Sequence, residues 1–174
     1  MYIVVGLGNP DDEYQSTRHN TGRMAADFVE SKVEGVKVFT PDTYMNKTGN
    51  AVAKVVKSKK AAEKLIVIYD DLDLPLGMMK ISYNRSSGGH RGVESIIKAL
   101  KTQEFIRIRI GISPATPSGK LKKPKGEVAV EKHILTDFKK PEFEILKKVF
   151  KSVVTAVEVI KEDGLESAMT EFNK

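Results

Sequence analysis

Leu65-Ile66-Val67-Ile68-Tyr69-Asp70-Asp71 decides the fold. An unbroken, largely β-branched apolar run that stops at carboxylates is the pattern of a strand buried on both faces, and such strands belong to parallel sheets covered by helices. Residues 2–5 and 106–112 share that character and end at Gly or Pro. Between these runs, helical periodicity covers residues 24–33, 45–57 and 93–100, and in the second of these Val52, Val55 and Val56 share a face. The alternation predicts an α/β protein with right-handed crossovers. Weaker strands read at 36–40 and 78–83. The second follows the Leu65 strand closely enough to pair with it antiparallel. The expected sheet is therefore twisted, mixed and mostly parallel, with helices on both faces. Residues 113–126 hold three prolines, two glycines and four lysines without periodicity and read as an exposed loop. Beyond it, Pro141 opens an amphipathic helix through Ile160 that Asp163-Gly164 ends, and residues 165–172 make a last short helix.

A chain of 174 residues suits one domain with a single sizeable core. With 40% hydrophobic and 30% charged residues it has ordinary globular composition, and no apolar run approaches the ~20 residues of a membrane span. Met1-Tyr2-Ile3-Val4-Val5-Gly6 reads directly as a strand and lacks the basic flank of a secretory signal, so a cytoplasmic location is expected. Absence of cysteine excludes disulfide and thiolate chemistry, and the three histidines offer no i, i+4 ligand pair, so no metal is expected. Lys and Arg outnumber Asp and Glu by 29 to 23, and the resulting +6 favours a polyanionic partner such as nucleic acid.

The chemistry-bearing residues fall where strands meet helices. Gly6-Leu7-Gly8 follows the first strand, but a dinucleotide fingerprint needs glycine where Asp11 stands, and Pro10 spoils the turn, so no nucleotide cofactor is expected. Asn9 either caps this turn or presents its amide over the carboxyl edge of the sheet, the usual ligand edge. His19, between Arg18 and Asn20, lies outside any apolar face and is expected to be exposed. An imidazole is the natural base for water near neutral pH once a partner fixes its tautomer. Asp70 ends the central strand on the same edge and is placed to accept the second imidazole N–H. Asp71 and Asp73 read as turn formers before Leu74-Pro75-Leu76-Gly77. Asn46 is either a helix cap or a donor to a carbonyl. Within Ser86-Ser87-Gly88-Gly89-His90-Arg91-Gly92, the glycines permit close approach of phosphate or ribose, or only a flexible connection. Arg107 and Arg109 alternate with Ile106, Ile108 and Ile110, so both face away from the apolar side, as phosphate contacts or as ordinary surface charge. His133 reads as packing and is assigned no role.

In order along the chain, GLGNP at 6–10, TRHNTG at 17–22, PDTYMNKTG at 41–49, DDLDLPLG at 70–77, GGHRG at 88–92 and RIRIGI at 107–112 closely resemble bacterial-type peptidyl-tRNA hydrolases. The resemblance covers residues 1 to about 112, more loosely the helices beyond, and rests on several unusual motifs. It implies a carboxylic ester hydrolase that releases peptide from the terminal ribose of tRNA in translation, as a monomer without cofactor or metal. Carried over residue by residue, it makes His19 the general base, Asp70 its orienting carboxylate, and Asn9 and Asn46 the amides that position peptide and carbonyl. Met45 walls the peptide channel, and Tyr14, Tyr44, His90, Arg91 and Arg109 bind substrate. Three departures accompany the likeness. Arg91 stands where asparagine is usual, Ser82 where a tRNA-gripping lysine is usual, with Arg85 as its candidate substitute, and residues 34–40 shorten a segment that normally adds strands. A non-catalytic RNA-binding protein on the same scaffold is the rival class, and intact His19 and Asp70 argue against it.

Overall fold

A computed structural model describes residues 1–174. Five strands, β1 (Tyr2–Gly6), β2 (Val36–Phe39), β3 (Leu65–Pro75), β4 (Met79–Tyr83) and β5 (Ile106–Ser113), form one sheet in the order β2-β1-β3-β5-β4. All neighbours are parallel except β4, which runs antiparallel to β5 with Ile81 opposite Ile108. The expected mixed, mostly parallel sheet is present, but β4 does not pair with β3. Both flanks of β3 are occupied, by β1 at Ile3↔Leu65 and by β5 at Ile66↔Ile106, so the strand that follows must add outside β5. Nor does β3 stop at Asp70. It runs on to Pro75 with a register shift between Asp71 and Pro75, so Asp70 sits within the strand.

Period-2 alternation divides the core. Val4, Ile66, Ile68, Ile108 and Ile110 face α1 (Thr21–Lys32), α6 (Lys140–Asp163) and α7 (Leu165–Phe172). Val5, Leu7, Val67, Tyr69 and Phe105 face α2 (Thr48–Ala53), α3 (Lys59–Ala62) and α4 (Arg91–Leu100). Helices thus cover both faces. The single helix expected over 45–57 is instead a 3-10 turn, Met45–Lys47, followed by α2, and Ser58 then caps α3 by accepting from the Ala61 amide at 3.0 Å. One helix was not anticipated. It is α5 (Glu127–Ile134), which buries none of its residues and is tied down by His133, whose Nε2 lies 2.8 Å from the Ile112 carbonyl. No helix is long and apolar enough to cross a membrane.

Two local features position the functional edge and close the far one. Gly22, in the first turn of α1, lies against the Ile68 carbonyl and Leu7 amide so closely that a Cβ would collide with backbone. This contact brings the start of α1, and the turn before it, onto the carboxyl ends of β1 and β3. At the opposite side of the sheet β4 is an edge strand, and the Asn173 amide pairs with it. Its Oδ1 accepts from the Ile81 amide and its Nδ2 donates to the Ile81 carbonyl, each at 2.8 Å.

Candidate active site

The carboxyl ends of the central strands open into a cleft of about 620 Å³. Asn9 enters it from the loop after β1, His19 from the 3-10 turn Arg18–Asn20, and Asp70 from β3. Met45 and Asn46 come from the turn before α2, and His90 from the N-terminus of α4. His19 is only 7% exposed, not open to solvent as expected. Its turn is wedged inward because the neighbouring Arg18 is itself buried. Arg18 donates to Glu142 at 3.1 Å and to the Thr136 carbonyl at 3.2 Å, and its guanidinium lies over the Phe138 ring.

Asp70 is the hub. Its Oδ2 is 2.7 Å from His19 Nδ1, and its Oδ1 is 2.9 Å from His90 Nε2. The tautomers follow from the remaining bonds. His90 caps α4, its Nδ1 accepting from the Gly92 and Val93 amides at 3.2 and 3.3 Å, so the proton resides on Nε2 and is donated to Asp70. A buried carboxylate only accepts, so His19 also donates, through Nδ1, which leaves the lone pair on Nε2 free. Burial is the largest influence on Asp70 and alone would raise its pKa. The His19 and His90 imidazoles more than reverse that and hold the carboxyl well below the usual carboxylate range. The histidines separated in sequence are therefore together in space: the ligand atoms of His19, Asp70 and His90 lie within 4.8 Å of one another. The facing nitrogens carry N–H groups bound to Asp70, so hydrogen bonding accounts for the cluster without a shared cation.

Around this hub, Asn9 is fixed at three points. Its backbone N–H donates to Asn20 Oδ1 at 2.9 Å, its carbonyl accepts from Asn20 Nδ2 at 3.0 Å, and its side-chain Oδ1 accepts from the Met45 amide at 2.9 Å. The side chain does not cap its own turn but braces the Met45 turn, while its Nδ2 has no bonding partner and the residue lines the cleft. Asn46 is exposed on the cleft wall, and neither the turn nor α2 is capped by a side chain, so the capping alternative is not realised. Tyr44 lines the cleft and donates to Asp11 at 2.5 Å, while Tyr14 stands behind it, edge to face, with ring centroids 6.5 Å apart.

The arginines separate. Arg91 lies on the rim with its side chain 71% exposed, and Arg85 lines the same side. Arg109 is outside the cleft lining, its Nη1 2.8 Å from Asp71 and its Nε 3.1 Å from Ser82 Oγ. Arg107 does not reach solvent as a phosphate contact would. It is fully buried, donates to the Arg85, Ser86 and Gln103 carbonyls, and stacks on Phe105 at 4.0 Å, thereby anchoring the loop that carries Arg85. Asp71 does form a turn, accepting from the Asp73 amide at 2.7 Å, as its residue type suggested. The sequence reading missed the His90–Asp70 bond and the far wall of the cleft, where Glu127, Val130, Glu131 and Ile134 of α5 line up. Their i, i+3, i+4, i+7 spacing was the available signal.

Known proteins share this sequence and fold. The sequence matches the peptidyl-tRNA hydrolase family over residues 3–38 and 28–174, two stretches that overlap across the end of α1 and β2. It is 38% identical to the peptidyl-tRNA hydrolase of Carboxydothermus hydrogenoformans, over 100% of this chain and 99% of that protein. With the enzyme of Fervidobacterium nodosum it shares 40% identity over 98% and 95%. Among solved structures, the peptidyl-tRNA hydrolase of Acinetobacter baumannii superposes with a TM-score of 0.86 at 26% identity, over 99% of this chain and 94% of that one. The family match over nearly the whole sequence, with 38% identity along the full length of a peptidyl-tRNA hydrolase and the same fold, places the chain in the peptidyl-tRNA hydrolase family.

Proposed function

We propose that this protein hydrolyses the ester between a peptide and the terminal ribose of tRNA, acting in the cytoplasm as a monomer, with His19 as general base. The observation that carries the assignment of the base is the 2.7 Å contact of His19 Nδ1 with Asp70, which leaves Nε2 as the proton acceptor at the cleft. In the reaction, Nε2 takes a proton from water as the oxygen attacks the acyl carbon. The tetrahedral oxyanion then collapses, and the ribose oxygen leaves, protonated by the imidazolium. Asp70 holds the ring and stabilises its charged form without itself taking the proton. Asn9 Nδ2, on a side chain already braced by Met45, is a preorganised donor for the developing oxyanion, and the exposed Asn46 is a second one. The basic rim of Arg85 and Arg91 suits RNA phosphate. His19→Ala is expected to lower single-turnover peptide release by roughly 10²–10⁴-fold while tRNA binding persists. Undiminished release would remove His19 as the base.

A further inference from the structure

We infer that α5 biases this cleft toward cationic nascent peptides, with the Glu131 carboxylate receiving a lysine or arginine side chain of the peptide. The inference rests on the hydrolase reading above and extends it to the peptide half of the substrate. It starts from where charge is left over. Five carboxylates line the cleft: Asp70, Asp71, Asp73, Glu127 and Glu131. Asp70 is bound by His19 and His90, Asp71 by Arg109 at 2.8 Å, and Asp73 by Lys123 at 2.6 Å. Glu127 meets Arg91 only at 3.9 Å, with both side chains largely exposed. Glu131 alone has no basic partner.

The pattern of α5 is also reversed from that of an ordinary surface helix. It turns Glu127 and Glu131, like charges at i, i+4 that oppose helix formation, toward the cleft, and leaves Val128 82% exposed. On and just after the same helix, the aliphatic Val130, Ile134 and Leu135 line the cleft together with Glu131. An unpaired carboxylate framed by aliphatic side chains matches a side chain with an apolar stem and a cationic head. Arg85 and Arg91 line the same cleft beside Gly88 and Gly89, where a Cβ would meet nothing within 4 Å, and Arg91 adjoins the first turn of α5 through Glu127. The cleft thus combines a roomy rim carrying Arg85 and Arg91 with a helix whose Glu131 has no basic partner. A substrate with a polyanionic half and a peptide half finds a complementary charge for each.

The test compares kcat/KM for three substrates built on one tRNA, whose peptides are of equal length and carry lysine, alanine or glutamate at matched positions. The expected result at low salt is a lysine-over-glutamate preference of about three- to tenfold, the size set by exposed charge pairs. The preference shrinks toward unity in Glu131→Gln and inverts in Glu131→Lys, and circular dichroism checks that each variant is folded. Equal turnover of the three peptides by the unaltered protein overturns this inference and leaves the hydrolase reading standing. A preference that survives in Glu131→Gln overturns the assignment to Glu131. No turnover of any substrate removes the hydrolase reading, and this inference with it.

Discussion

Asp70 receives an N–H on each carboxylate oxygen, and replacing it changes more than charge. In Asp70→Asn the side-chain amide can accept on one atom only, and the other donates. One of the two rings must then turn or change tautomer, and His19 loses the state that leaves Nε2 unprotonated. The expected outcome is a fall in kcat of about 10²–10⁴-fold with tRNA affinity retained, read by single-turnover kinetics beside equilibrium binding. The same carboxyl sets an acid limit on stability. Its folded pKa lies below the unfolded value of about 3.9, so its contribution is present above that pH and is lost as pH falls below ~4 toward the depressed folded value. Acid unfolding followed by circular dichroism should show a shallower loss below pH ~4 in Asp70→Asn. His19 and Asp70 were legible in the sequence because polar residues that interrupt apolar runs stand out. The burial of His19 was not, since it depends on Arg18 reaching Glu142 and Phe138, 124 and 120 positions away in the chain.

Whole elements show the same division between local and long-range determination. Periodicity located the buried strands and the helices α1, α4, α6 and α7, whose faces read the same in the chain as in the fold. It failed where pairing partners decide the outcome. The partner of β4 is settled by the occupied flanks of β3, which no local pattern encodes. The apolar spacing of Val52, Val55 and Val56 hid the break after α2, and α5 escaped notice because it has no buried stripe. Helix α1 offers a test at this scale. Because a side chain at Gly22 would meet the Ile68 carbonyl, Gly22→Ala must push α1 away from β3. A loss of about 2–3 kcal/mol in denaturant unfolding is expected, with activity reduced further because the His19 turn moves with the helix. Ala25→Gly, also in α1, provides the control, since its cost of about 2 kcal/mol comes from helix propensity and one lost buried methyl and leaves activity intact, because the helix is not displaced.

Across the molecule, the excess of 29 basic over 23 acidic side chains predicted a polyanionic partner but not where it binds. Location emerges only when Arg107 and Arg109 are found to be occupied internally and Arg85 and Arg91 are found on the rim. Binding of tRNA is expected to weaken linearly in log–log form with added salt, and Arg85→Ala should reduce that slope by about one. The arrangement at the other end of the sheet has a separate consequence. By filling the open backbone groups of Ile81, the Asn173 side chain acts as a one-residue surrogate strand, so that a neighbouring molecule finds no free template there. Asn173→Ala would uncover that template. At high concentration, light scattering should then register self-association by edge-to-edge pairing, although the mutation lies far from the chemistry.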